Sequence, residues 1–407
     1  MRQEVKPYRV GAGHRDLAPT LERIALYWHN GRSLGHTIRS ATLGQGLLER
    51  MPGSAVMGIT GASRGFELLP PGMDVLKLPS YLAFDHPQGA VSAPILPVMR
   101  DDLTSMRANL IATFMRDFRP DALLVDYYPQ GNDGELALAI SQSPDTQKVL
   151  GLRGILGTPE QTNSQFFSSR MADFMRANYA AIHVYVDERV FRLEECYDVP
   201  AALVKMLRYT GYVTRPAAAT RQEARTQLNL EAQARIVVAS FGGGQGTGQL
   251  WQAVFHALEG IAPSFDLAYF AAGPYLEADA YARLQSAAAF HPNWRWAHLL
   301  DPLPMWMQAS DLFIGSGGYN SLAETLATGA NALIIPRQLN EREQLLHATS
   351  LAKLQALRLL DLETALHENI APVLEMCLRE PFPVAGQLPV KTDGAVTNAR
   401  MIEKLLS

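Results

Sequence analysis

Cysteine is nearly absent from this chain of 407 residues, which holds only Cys196 and Cys377. Two residues so far apart provide no metal-ligand spacing and no disulfide framework, and a reducing, cytoplasmic setting is expected. Charge of one sign is lacking too. With 36 Lys and Arg against 40 Asp and Glu, the formal net charge is -4, and no dense basic block occurs. The electrostatic footprint of a nucleic-acid binder is therefore missing. No stretch approaches the ~18 uninterrupted apolar residues of a spanning helix. Met1 to Asp16 alternates charged and polar residues, without the pattern of a signal peptide. Membrane contact is thereby restricted to a peripheral kind. What the sequence does have is 47% hydrophobic and 19% charged residues, with Gly and Pro spread throughout. That profile belongs to a globular enzyme long enough for two or three domains.

Apolar runs alternate with helical patterns along the whole chain. Strands are expected at Arg23–Asn30, Ser54–Thr60, Met73–Leu78, Ala122–Tyr128, Lys148–Leu152 and Ala181–Val186. Periodicity lapses from Pro216 to Thr220, after which the plan restarts with Arg235–Phe241, Leu267–Ala272, Trp294–Leu300, Asp311–Gly315 and Ala332–Pro336. Near-continuous apolar strands linked by helices specify an α/β fold with parallel sheets covered on both faces. The expectation is two doubly wound, Rossmann-like domains, residues 1–213 and 214–407, facing a cleft, with a last helix from Val396 to Leu406 packing back across the junction. Such sheets bind ligands outside the carboxyl ends of their strands. Between them, Met99, Leu103, Met106, Leu110, Phe114 and Phe118 form one helical stripe that reads as core-facing, with Arg107 and Arg116 off it.

Three glycine-bearing turns join strands to helices. In Gly31-Arg32-Ser33-Leu34-Gly35-His36, the helix N-terminus points an imidazole into the cleft, where His36 is placed to act as a general base, with Asp126 at a strand end in reserve. The helix dipole would keep that imidazole neutral. A capping or packing histidine is the plainer reading. In Ser240-Phe241-Gly242-Gly243-Gly244-Gln245-Gly246, the glycines suit a nest of N–H groups for a diphosphate, although a simple glycine turn has the same sequence. In Gly315-Ser316-Gly317-Gly318-Tyr319-Asn320-Ser321-Leu322-Ala323-Glu324, a helix opening at Asn320 or Ser321 presents its first turn to a phosphate and Glu324 to ribose hydroxyls. A Ser321–Glu324 capping box is the alternative. After the next strand, Glu343 and Gln344 stand at a helix start where they can bind sugar hydroxyls or simply be solvated. No Asp-x-Asp pair accompanies these turns, which leaves a departing diphosphate to helix ends and backbone N–H groups.

Together these residues resemble the two-domain, GT-B-fold glycosyltransferases, and in particular a bacterial family of predicted glycosyltransferases related to the peptidoglycan N-acetylglucosaminyltransferase. The resemblance runs from about Ala25 to Leu360. It implies that Gly35 and His36 belong to the acceptor-side loop and Gly243, Gly244, Gln245 and Gly246 to the diphosphate loop. It likewise implies that Ser321 and Glu324 hold the phosphate and ribose, and that backbone near Leu300 reads a uracil; Gly317, Gly318 and Asn320 of the same turn are expected to bind the donor beside them. Glu343 and Gln344 fall where the cell-wall enzyme has two glutamines for the donor sugar. The implied reaction moves a sugar from a nucleotide-sugar donor, UDP-linked, to a hydroxyl or amine of a small-molecule, peptide or lipid-linked acceptor. Direct displacement with inversion is the expected mechanism, with no metal, since the Asp-x-Asp clamp is missing, and no cofactor beyond the co-substrate. A nucleotide-sugar epimerase or hydrolase of the same fold is the alternative.

Overall fold

The computed structural model describes residues 21–29, 34–86, 89–215, 217–218, 220–299, 302–337, 343–382 and 390–407. Gly31, Arg32, Ser33 and Leu300 lie outside the described residues. The first sheet consists of β1 (Arg23–Trp28), β2 (Ala55–Thr60) and β3 (Met73–Lys77), followed in the chain by a separate antiparallel hairpin of β4 (Tyr81–His86) and β5 (Gly89–Pro94). It continues with β6 (Ala122–Asp126), β7 (Gln147–Leu152), β8 (Ala181–Val184) and β9 (Leu207–Tyr209), and its order is β3-β2-β1-β6-β7-β8-β9. The second sheet is built from β10 (Ile236–Ser240), β11 (Leu267–Ala271), β12 (Trp294–Ala297), β13 (Leu312–Gly315), β14 (Ala332–Ile334) and β15 (Arg358–Leu359), in the order β12-β11-β10-β13-β14-β15.

Every pairing within the two sheets is parallel. The central strands β6 and β10 are buried at every residue, as expected where helices cover both faces. Each sheet reverses its strand order once. In the first, β1 pairs with both β2 and β6; in the second, β10 pairs with both β11 and β13. A crevice opens where order reverses, because the loops leaving the two adjacent strands diverge to opposite faces. At these points stand His36 at the start of the helix that follows β1, Asp126 at the end of β6, and the turns from β10 into Gly242–Gly246 and from β13 into Gly315–Glu324.

The sheets are joined by packing as well as by chain. One continuous apolar cluster includes Leu26 and Val125 of the first sheet and Val238 and Phe313 of the second. At the seam, Tyr212, Tyr319 and His347 form a three-ring cluster, with Tyr212 stacked 5.8 Å from Tyr319 and 5.5 Å from His347. The Tyr319 hydroxyl donates to Tyr185 O at 2.5 Å and accepts from Val213 N at 2.9 Å. The closing helix, Gly394–Leu406, lies against the helix Gly35–Arg50, and Arg50 reaches Glu403 at 2.6 Å. Only glycine fits at its start: a Cβ on Gly394 would lie 2.4 Å from Gly211 O, a backbone atom that cannot swing aside.

The helix Arg100–Phe118 corrects the expected apolar stripe. Its buried residues are Leu103, Arg107, Ile111 and Met115, whereas Met99, Met106 and Leu110 are 75%, 43% and 39% exposed. The rotation has an electrostatic cause. Arg107 is fully buried against Glu135, at 2.6 Å, and Glu135 also accepts from the Tyr27 hydroxyl at 2.7 Å. Burial works to raise the Glu135 pKa, but Arg107 together with the hydrogen bonds from Tyr27 and Asp133 N outweighs it and keeps the carboxyl below its ordinary range. A paired, hydrogen-bonded charge can be buried where a lone one cannot.

Candidate active site

His36 sits in the first turn of the Gly35–Arg50 helix, and its Nδ1 is 2.6 Å from Oδ2 of Asp126, the last residue of β6. Arg39, one turn further on and itself buried, donates through Nη2 to both Asp126 oxygens, at 2.8 and 2.7 Å, and through Nε to Oδ1 at 3.0 Å. Arg39 Nη2 is also 2.9 Å from His36 Nδ1. One ring nitrogen cannot donate to the carboxylate and accept from the guanidinium at once. An ionised carboxylate only accepts, so Nδ1 must carry the proton and donate it to Asp126, which leaves the lone pair on Nε2.

The charge states agree with that tautomer. Burial works to raise the Asp126 pKa, but Arg39 and His36 prevail and hold it below the ordinary carboxylate value. Burial lowers the His36 pKa, more than the facing Asp126 raises it. The imidazole is thus neutral near pH 7, and burial rather than the helix end is the principal cause. The residue after Asp126, Tyr127, adopts φ of 78°, unusual for an aromatic side chain and a mark of over-determined backbone at functional turns. Its ring meets His36 edge-on at 5.9 Å.

Across the cleft, the turn after β10 passes through the left-handed region at Gly242, Gly244 and Gly246, with φ of 71°, 90° and 67°. It packs backbone to backbone on the turn after β11. A Cβ on Gly244 would lie 2.4 Å from Ala272 O, and one on Gly273 the same distance from the carbonyl carbon of Gly243. The predicted nest is smaller than its sequence suggests, because Gly246 N donates to Glu277 Oε1 at 2.9 Å.

The turn after β13 enters the helix Tyr319–Thr328, capped at Gly318 with no side-chain cap bond. Both sequence expectations for this helix are corrected. It opens at Tyr319 rather than at Asn320 or Ser321, and the Ser321–Glu324 capping box does not form. Asn320 instead reaches across the cleft, its Nδ2 donating to Gly35 O at 3.1 Å. Glu324, 2% exposed, accepts from Arg215 Nε at 2.7 Å. Gly317 lies behind the turn, where a Cβ would come within 2.8 Å of Gln344 O. Glu343 and Gln344 begin the helix Glu343–Lys353. Glu343 pairs with Arg153 of the first half at 3.1 Å, and Gln344 Oε1 accepts from Arg337 N at 3.1 Å.

One cavity of about 550 Å³ collects these groups. Gly35, His36, Gly243, Gly244, Gln245, Gly246, Gly318, Asn320, Ser321, Glu324, Glu343 and Gln344 all line it, with Gly317 and Asp126 behind the wall. The volume suits a ligand the size of a nucleotide. Sequence reading missed four arginines: Arg39, Arg153, Arg215 and Arg337 line the same cavity. Only Arg39 had a local signal, its i+3 spacing from His36 on one helix face.

Two parallel α/β sheets facing such a cleft define the GT-B fold. Residues 237–385 match the glycosyltransferase family 28 C-terminal domain. Solved structures of the same fold include MurG from Acinetobacter baumannii, 13% identical over 95% of this chain and 99% of that one, with a TM-score of 0.54. A calicheamicin glycosyltransferase is 14% identical over 95% and 98%, with a TM-score of 0.56. The UDP-GlcNAc 2-epimerase from Neisseria meningitidis, bound to UDP-GlcNAc, is 12% identical over 94% and 99%, with a TM-score of 0.54. No curated protein matches the sequence. Among the described residues no helix is long and apolar enough to cross a membrane.

Proposed function

We propose that the protein is an inverting, metal-independent glycosyltransferase that moves a sugar from a UDP-linked donor to an acceptor hydroxyl or amine. The observation that carries this reading is the His36–Asp126 pair, 2.6 Å apart, facing Glu324 and the glycine turns across one cavity. The acceptor's nucleophilic atom attacks the anomeric carbon as its proton passes to His36 Nε2. The bond from that carbon to the diphosphate oxygen breaks, and the diphosphate leaves with the electron pair. Asp126 stabilises the imidazolium that forms, and Arg39 keeps Asp126 ionised throughout. Glu324, oriented by Arg215, accepts from the ribose hydroxyls. Glu343 and Gln344 face the sugar. The match to a family 28 domain supports transfer, and the fold neighbour solved with UDP-GlcNAc supports the choice of nucleotide.

The test is incubation with UDP-sugars, with and without a panel of acceptors. Glycosylated product of inverted anomeric configuration, formed only with acceptor, is expected. Epimer or free sugar formed at the same rate without acceptor replaces transfer by epimerisation, the reaction named for several fold neighbours, or by hydrolysis. Glu324→Ala is expected to weaken UDP binding about 10- to 100-fold, the loss of charge-assisted hydrogen bonds. Calorimetry with UDP checks this, and an unchanged affinity removes the ribose assignment.

A further inference from the structure

The charges of the cleft do not balance among the described residues. Arg39 faces Asp126 at 2.7 Å, Arg153 faces Glu343 at 3.1 Å and Arg215 faces Glu324 at 2.7 Å. Arg337, the remaining cation lining the cavity, has no carboxylate within ion-pair distance among the described residues. Among the described residues its side chain makes one hydrogen bond, Nη1 to Gln245 O at 2.7 Å, and its Nε is sealed from solvent without a partner there. Burial lowers its pKa, and among the described residues no neighbouring anion offsets that, yet a guanidinium stays charged at neutral pH. A partly desolvated cation with one bond for its five donors is an unfinished site, and an anion would complete it.

Its place in the fold indicates which anion. The chain leaves β14, passes Pro336 and lays Arg337 along the turn Gly242–Gly246, while Arg337 N is tied to Gln344 at the start of the next helix. With Gly246 N already donated to Glu277, the backbone cradle has fewer N–H groups than the glycine pattern promises. We propose that Arg337 is the cation that binds the donor's diphosphate and stabilises its negative charge as the sugar bond breaks, an assignment that rests on the nucleotide-sugar reading above. Arg337 then does the work that a metal ion does in sites built on paired aspartates. The ligand class follows: nucleoside diphosphates and pyrophosphate bind through Arg337, and neutral nucleosides do not depend on it.

The experiment measures binding of UDP, uridine and inorganic pyrophosphate to the wild type, Arg337→Met and Arg337→Lys by calorimetry and competition, with melting curves for folding. Arg337→Met is expected to bind UDP and pyrophosphate about 10- to 100-fold more weakly with uridine unchanged, and Arg337→Lys to recover part of the loss. Wild-type UDP affinity in a folded Arg337→Met overturns the assignment and leaves the functional reading standing. Equal losses for uridine and UDP overturn it as well, since they mark a structural role. Should Arg337→Met not fold, competition on the wild type decides: pyrophosphate that fails to displace UDP refutes the anion site. A wild type that binds none of UDP, dTDP and GDP ends both this assignment and the reading beneath it.

Discussion

Asp126→Asn is expected to lower turnover by about 10²- to 10⁴-fold while UDP affinity stays within a factor of about two, although the substitution conserves size and shape. The reason is direction. Asp126 accepts the Nδ1 proton of His36 and three bonds from Arg39. In the amide, the remaining oxygen is claimed by the Arg39 guanidinium, so the amide nitrogen is turned toward the ring. It then donates to Nδ1, the imidazole proton moves to Nε2, and the lone pair that should receive the acceptor's proton is gone. His36→Ala removes the same function outright. The two changes should therefore not multiply: the double variant is expected to be no slower than the worse single one, as for residues that act as a unit. Initial rates of donor consumption with acceptor, beside UDP affinities, check this. Losses that multiply would show two independent roles. For the wild type, kcat/KM should fall on the acid side with an apparent pKa below about 6.5, because burial depresses the His36 value.

Much of this site was legible before the fold was known, and what was not has a common cause. Strands, crossover helices and the turns carrying His36, Gly243 and Glu324 have local signatures: apolar runs, glycines, and a helix start after a strand. Strand ends ran long, to Tyr128 where β6 ends at Asp126 and past Ala297 where β12 ends, because the apolar run continues beyond the last ladder bond. The hairpin of β4 and β5 went unread, since it belongs to neither sheet. The arginines were invisible for a different reason. Arg39 meets Asp126 across 87 residues of sequence and Arg215 meets Glu324 across 109, and no periodicity relates such partners. Arg107 shows the consequence. Read locally, it is a charge on the outer face of a helix. With Glu135 and Tyr27 supplied by the fold, it is the most buried side chain of that helix together with Leu103 and Ile111, each at 0% exposure.

Stability is expected to drain away between pH 6.5 and pH 4, the second large effect that follows from burial. His29, His183 and His347 are each pushed down to about 4, in every case chiefly by burial. In the unfolded chain an imidazole titrates near 6.5. Below that pH the unfolded state therefore takes up protons that the folded state refuses, so folding weakens as pH falls, until near pH 4 the folded form titrates as well. Above pH 6.5 these groups contribute no slope. Each is worth about 3 kcal/mol across the window, hence about 10 kcal/mol for the three if they act independently, as much as a domain's ordinary margin of about 5–15 kcal/mol. The buried carboxylates Asp126, Glu135 and Asp187, held below their ordinary values, lose their contribution only at lower pH and cannot account for an early loss. Urea denaturation at pH 7.5, 6.0 and 5.0 measures the slope, and His347→Gln should flatten it by about a third. The positions add a structural expectation. His347 shares a 2.6 Å hydrogen bond with Tyr212 at the seam between the sheets, and His183 shares one of 2.7 Å with Asn398 of the closing helix. Protonation therefore charges two of the contacts that join the halves, and hydrogen exchange at pH 5 should show Gly394–Leu406 opening before the strands of either sheet. A uniform opening, or a stability unchanged from pH 7.5 to 5.0, would mean that these imidazoles reach water in the folded protein.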